Sequence, residues 1–161
     1  YAKLKNFVIY GISASSNNEI DQFGLKIANL LAIKRSLYSL LNVLEDLIKI
    51  KKKKFIIYID GSVTPNFELL NVLKFKSLQL PNCQINSVVR GDQKIISISV
   101  SSILAKVTRD TIMENYDRIF PGYFFSNNFG YGTKQHRINL ENNGICKLHR
   151  KSFRPMNSIF R

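Results

Sequence analysis

The chain has 161 residues, 45% of them hydrophobic and 11% aromatic, which is enough to bury a core and excludes a disordered polypeptide. No stretch reaches the ~18 consecutive apolar residues of a membrane span, and the opening Tyr1-Ala2-Lys3-Leu4-Lys5 has no secretory cleavage pattern. Lys and Arg number 24 against 11 Asp and Glu, a formal net charge of +13 that favours a polyanionic partner, nucleic acid being the commonest. Lys, Asn and Ile are also what an AT-rich genome supplies, so charge alone leaves nucleic-acid binding and codon bias as alternatives. Two isolated cysteines, Cys83 and Cys146, form neither a disulfide framework nor a zinc motif, and a reducing, cytoplasmic setting is expected.

In chain order, Phe7-Val8-Ile9-Tyr10 is β-prone and closed by Gly11, which predicts a strand. Ser16 and Glu19 have capping-box spacing. From there Ile20, Phe23, Ile27, Leu30, Leu37, Leu41, Leu44 and Ile48 recur at three- and four-residue steps, which predicts one long amphipathic helix. Lys34 breaks the stripe and Lys51–Lys54 ends it, so packing on a sheet is preferred to a leucine zipper. Phe55–Ile59 is a continuous apolar run, as expected of a strand buried on both faces, and it ends at Asp60-Gly61. The stretch Ser62–Asn82 is ambiguous: within it Phe67–Leu80, bracketed by Pro65 and Pro81, fits either a short helix or a strand.

Ile85–Val89 is a further strand, ending at Gly91-Asp92. A helix is predicted from Ser97 to Phe120, stopped by Pro121-Gly122. Tyr123–Gly132 reads as an aromatic, glycine-rich loop. Thr133 caps a helix running to Asn142, with Gly144 in the position of a terminating glycine. The tail from His149 to Arg161 is basic. Alternating strands and helices imply an α/β domain with parallel pairing, spanning residues 1–161 as one unit.

Two carboxylates are singled out by position. Asp60 follows one strand and Asp92 follows another, and sites of open parallel sheets form beyond the carboxyl ends of strands. Two acids meeting there repel unless a hard divalent cation joins them. The alternative is that each is an ordinary turn aspartate.

A resemblance adds to this reading. Ser97 to Asp110, with its Ser101-Ser102-Ile103-Leu104-Ala105-Lys106-Val107-Thr108-Arg109-Asp110 end, resembles the long helix motif of bacterial ribonuclease HII, the type 2 ribonuclease H. The Gly91-Asp92 pair lies ten residues before Ser102, as in that family. Phe129-Gly130-Tyr131-Gly132-Thr133 followed by His136 resembles its Gly-Tyr-Gly-Thr loop, and His149-Arg150-Lys151-Ser152-Phe153-Arg154-Pro155 its closing motif. Ile59-Asp60-Gly61 and Glu19-Ile20-Asp21 also fit.

The resemblance implies an α/β, ribonuclease H-like mixed sheet flanked by helices. It also implies a two-metal hydrolysis of RNA in RNA–DNA hybrids, including ribonucleotides embedded in DNA. In the family four carboxylates hold Mn²⁺ or Mg²⁺; Asp60 and Asp92 match two of them, as catalytic and metal-binding residues. Tyr131 matches the tyrosine that packs on the sugar where the 2′-OH is sensed. Lys106 and Arg109 share a helix face suited to phosphate contacts. Asp110, one turn beyond Lys106, fits an ion pair with it. His136 and His149 take structural or substrate-facing roles. A monomer without a membrane association is expected.

This sequence departs from the family pattern in three places. The first strands, with adjacent Asp-Glu and then Gly-Arg-Gly, have no counterpart, so the domain reads as N-terminally truncated. Asp60 and Asp92 are widely spaced, with Phe67–Asn82 resembling an insertion. Asn128-Phe129 replaces His-Lys before the Gly-Tyr-Gly, which weakens a phosphate contact from that loop. A non-catalytic nucleic-acid-binding remnant is therefore the competing function, and a helical interaction module over residues 19–49 a third.

Overall fold

Helix α1 (Ala2–Lys5) opens the computed structural model, which describes residues 2–47, 54–62 and 83–153. The strand predicted at Phe7–Tyr10 is not formed. A strand exists only by exchanging backbone hydrogen bonds with a neighbour, and among the described residues no strand pairs with this segment. It leads instead into close contact with the next helix. A Cβ on Gly11 would lie 2.3 Å from the Ser36 carbonyl oxygen and 2.6 Å from the Leu40 nitrogen, so only glycine allows the two backbones to touch.

Helix α2 (Asn17–Leu47) starts as its sequence predicts. The Glu19 N–H donates to Ser16 Oγ at 3.2 Å, and the Ser16 N–H donates to Glu19 Oε2 at 2.8 Å. This reciprocal pair satisfies backbone donors that the helix start would leave open. The Glu19 carboxylate also receives the Arg35 guanidinium, whose hydrogen bond is the main reason its pKa falls to about 2.

The single continuous helix expected here is not what forms. Gly24 sits at φ 78°, ψ 160°, outside helical geometry, and breaks α2 near its start. The apolar stripe changes phase at the break: Ile20, Ala28, Leu30 and Leu41 are buried, while Phe23 and Ile27 are exposed. A stripe interrupted in this way does not offer the continuous seam of a zipper.

Strands β1 (Phe55–Asp60) and β2 (Cys83–Val88) pair in parallel, from Phe55 opposite Cys83 to Asp60 opposite Val88. The second strand therefore covers Cys83–Val88 where Ile85–Val89 was predicted. Burial of β1 on both faces is corrected. Ile59 is buried against Leu30 of α2, with Ile33, Ile57 and Ile85 packed around them. On the other face Ile56 is 50% and Tyr58 40% exposed. A parallel strand is covered twice only when helices lie on both sides of its sheet, and α2 lies on one. The ambiguous stretch 63–82, the end of the predicted stripe at Ile48 and the tail from Arg154 onward lie outside the described residues.

A 3-10 turn (Gly91–Gln93) leads into α3 (Ile96–Ile119), one residue displaced at each end from its prediction. The predicted loop after it contains a short helix, α4 (Phe125–Asn128). Its start is held from outside: Asp117 of α3 accepts the Phe125 N–H at 2.8 Å and the Ser126 hydroxyl at 2.5 Å. Helix α5 (Lys134–Asn143) is capped as predicted, with Thr133 Oγ1 accepting the His136 N–H at 3.2 Å and Gly144 at φ 72° ending it. Tyr123, Phe125 and Leu140 form a second core with Met113, Tyr116, Phe120 and Leu148 against them. The architecture is α/β: among the described residues a parallel pair of strands with α2 packed on one face, and a second core built by the helices that follow. Among the described residues no helix is long and apolar enough to cross a membrane.

Candidate functional site

The parallel register brings the carboxyl ends of β1 and β2 level, and the Gly61 N–H closes them by donating to the Val88 carbonyl at 3.0 Å. The chain leaving β2 turns through Arg90, at φ 54°, into buried Gly91. Asp60 Oδ1 accepts the Gly91 N–H at 2.8 Å. Asp60 is thus bonded to the residue that immediately precedes Asp92, and the two aspartates, both exposed, stand at neighbouring strand ends. A Cβ at Gly91 would lie 2.5 Å from Ile98 Cδ1 and 3.2 Å from Asp60 Oδ1, so glycine is required where the turn closes over the carboxylate.

Oxygen donors of this kind suit a hard divalent cation. Among the described residues neither carboxylate has an ion-pair partner to neutralise it. Nor, among the described residues, do three or more His, Cys, Asp or Glu side chains converge there.

The other expected site residues lie on α3 and on the loop that packs against it. Tyr131 is 62% exposed, on a loop that Phe129 at φ 48° and Gly130 at φ 76° turn back on itself. The half-buried Arg109 donates through Nη2 to the Phe129 carbonyl, and its guanidinium carbon lies 4.4 Å from the centre of the Tyr131 ring. Lys106 lies one turn earlier on α3 and is exposed. The ion pair expected between Lys106 and Asp110 is not formed among the described residues. Both side chains are long or hydrated enough that an exposed helix pair gains only ~0.3–0.5 kcal/mol, too little to impose one geometry.

The ribonuclease HII family model matches residues 2–156, a span that contains both strand ends, α3 and the Tyr131 loop. The chain belongs to the ribonuclease HII family. It is 38% identical over 144 residues to the ribonuclease HII of Clostridioides difficile, covering 89% of this chain and 47% of that protein. Against the ribonuclease HII of Prochlorococcus marinus it is again 38% identical over 144 residues, covering 58% of that protein. The ribonuclease HII of Mycoplasma mycoides is 37% identical over 156 residues, 97% of this chain and 64% of that protein. The chain therefore spans about half the length of the curated ribonuclease HII relatives it matches.

Within this ribonuclease HII chain three further groups organise the site. Asn128, at a position where the sequence departs from the family pattern, is buried and braces the loop. Its Oδ1 accepts the Gly130 N–H at 2.8 Å and its Nδ2 donates to the Tyr123 carbonyl at 2.7 Å. An Asn two residues before a glycine, where its side chain can bond the backbone two residues on, is a local signal for such a turn. Asp21 accepts the N–H groups of Lys151 and Ser152 at 2.8 and 2.9 Å, tying the closing motif to α2. Its partial burial acts to raise its pKa, but the hydrogen bonds from Ser152 and Lys151 outweigh this and lower it. A contact across 130 residues of sequence has no local signature.

The third group is the pair His136 and His149, both buried, with rings stacked 5.3 Å apart and Nε2 atoms 3.3 Å apart. The Cys146 N–H donates to His149 Nδ1 at 3.0 Å, and a hydrogen bond between the two facing Nε2 atoms needs a proton on one of them. Burial pushes both imidazoles below their ordinary pKa. The folded state therefore binds fewer protons than the unfolded one. Stability from the pair is full above the ordinary pKa of ~6.5 and is lost as pH falls from there toward the lowered values. Glu19 and Asp21 are depressed carboxylates, whose loss begins only below ~4.5. Urea unfolding at pH 7.5, 6.5 and 5.5 is expected to show falling stability before those carboxylates titrate. A flat profile over that range would mean that the pair is not buried neutral.

Proposed function

We propose that the chain acts in endonucleolytic hydrolysis of RNA in RNA–DNA hybrids, including ribonucleotides embedded in DNA. The observation that carries this reading is the Asp60 carboxylate bonded to Gly91 beside Asp92, at the open ends of two parallel strands. Asp60 and Asp92 would hold Mn²⁺ or Mg²⁺, which when bound supplies water activation and charge stabilisation at the leaving 3′ oxygen. The rest of the work falls to the polypeptide. The net charge of +13 draws in the nucleic-acid backbone. Lys106 would contact a phosphate, and the exposed ring of Tyr131 would pack on the sugar whose 2′-OH marks RNA. The protein is read as a cytoplasmic monomer.

A second reading, a binding module without catalysis, is favoured by one fact: among the described residues no three His, Cys, Asp or Glu side chains converge as a metal ion would require. Both readings share nucleic-acid recognition, which titration tests directly. A duplex carrying one ribonucleotide and the same duplex in DNA are titrated at several salt concentrations. Affinity for both is expected to fall steeply with salt, with the ribonucleotide duplex preferred. Tyr131→Ala is expected to lower that preference at least ~fivefold, since one stacking contact contributes about 1–3 kcal/mol. An equal loss on both duplexes would remove Tyr131 from recognition, and no preference in the parent chain would sink the ribonucleotide reading.

A further inference from the structure

Arg109 touches both the backbone and the ring of the Tyr131 loop. Its Nη2 donates to the Phe129 carbonyl while the guanidinium lies over the Tyr131 ring, 4.4 Å from its centre. Those contacts grip a turn made of two successive left-handed residues, Phe129 and Gly130. From the other side Asn128 holds the Gly130 N–H, and the Asn128 carbonyl accepts the Tyr131 N–H at 2.8 Å. Met113 closes the turn from below, its methyl 3.1 Å from where a Gly130 Cβ would stand. The loop backbone is thus braced by Asn128 and Met113, while the Tyr131 side chain, 62% exposed, carries the Arg109 guanidinium over its ring. The guanidinium covers one ring face and leaves ring surface open to solvent.

A guanidinium turned onto a carbonyl and a ring has little left to offer a phosphate. We propose that Arg109 is a positioning residue for ribonucleotide recognition: it presents the Tyr131 ring in a fixed orientation and does not itself bind the backbone. The inference rests on the reading of Tyr131 as the sugar contact. Lysine cannot replace it, because a compact ammonium on a flexible stem cannot lie flat on the ring and bond the carbonyl at once.

The two roles separate in one set of titrations, again with a single-ribonucleotide duplex and its all-DNA counterpart over a range of salt. Arg109→Lys keeps the charge. Positioning predicts that it loses at least ~fivefold of the ribonucleotide preference, with the salt slope unchanged; a phosphate contact would leave both nearly as they were. Arg109→Gln removes the charge. Positioning again predicts lost preference and an unchanged slope, whereas loss of a phosphate contact would flatten the slope by ~0.9 and weaken both duplexes alike. Lys106→Gln serves as the contrast and is expected to behave in that second way. In a Tyr131→Ala background Arg109→Lys should have no further effect, and an additive loss would overturn the proposal.

A measurement without nucleic acid keeps the inference apart from the function on which it rests. The ring resonances of Tyr131 in the free protein should move in Arg109→Lys while those of Tyr123, in the core, stay in place. Unmoved Tyr131 resonances would overturn the positioning role whatever the protein binds. Moved resonances with no ribonucleotide preference in the parent chain would leave the contact standing and retire the functional reading.

Discussion

The 161-residue chain by itself is expected to cleave a duplex with one embedded ribonucleotide at least ~100-fold more slowly than the ribonuclease HII of Clostridioides difficile, because misplacing reacting groups by even ~1 Å costs about that much. A cation held by Asp60 and Asp92 alone would be anchored incompletely, and hydrolysis between two ions needs both the attacking and the leaving oxygen clamped. Joining the chain to the part of that relative lying outside the matched region is expected to restore Mn²⁺- or Mg²⁺-dependent cutting with a 3′-OH product. In the joined protein Asp60→Asn should abolish cleavage and leave most of the binding intact, since one carboxylate is removed and the basic surface is not touched. Chelation of the metal should have the same split effect. The assay is product formation from end-labelled duplex, run beside the titrations. Strong metal-dependent cutting by the chain alone would show that Asp60 and Asp92 need no further ligands from such a segment. No cutting by the joined protein would favour the non-catalytic binding module.

The largest expected effect on stability comes from Phe125→Ala. Phe125 is 2% exposed, stacks on Tyr123 at 5.4 Å with the rings 11° apart, and lies within 6 Å of the His136 and His149 rings. Removing such a ring costs about 3–5 kcal/mol, a transfer loss plus the cavity that incompletely closes. That is a large share of the ~5–15 kcal/mol that stabilises a typical domain. The core it belongs to joins α3, α4, α5 and the chain after Gly144, so the loss should be felt as a drop in the urea midpoint of the whole transition. Phe7→Ala offers the contrast: at 83% exposed, Phe7 should change stability by no more than ~0.5 kcal/mol. A Phe125→Ala loss below ~1 kcal/mol would mean that this region is not a packed core.

Several parts of this molecule were legible without coordinates because their causes are local. Ser16 and Glu19 are three residues apart and cap α2 through their own backbone. Thr133 and Gly144 bound α5 for the same kind of reason. The apolar runs at Phe55–Ile59 and around Ile85 could do little but form strands, and their spacing through helical sequence implied parallel pairing. That placed Asp60 and Asp92 at neighbouring strand ends, and the family motifs named the same two residues.

What the tertiary structure decided are the features whose partners lie far along the chain. Phe7–Tyr10 has every local preference of a strand, yet no described strand accepts it. Gly24 breaks a helix whose periodicity runs straight through it, because a positive φ is open to glycine and periodicity does not register backbone angle. β1 is as apolar as a doubly covered strand, but one of its faces is exposed, since burial depends on what lies above the sheet. Arg109 and Lys106 look equivalent on one helix face; the loop 20 residues later takes up the first and leaves the second free for solvent. Asp21 finds Lys151 and Ser152 across 130 residues, and His136 meets His149 only when α5 and the chain after it fold onto one core. Sequence by itself determined the segments that satisfy their own backbone and the identity of the strand-end acids. Which charges are spent on neighbours, which imidazoles are buried neutral and which way the tyrosine ring faces were set by packing, because hydrogen bonds and burial are closed by whatever group arrives in space, not by the group next in the chain.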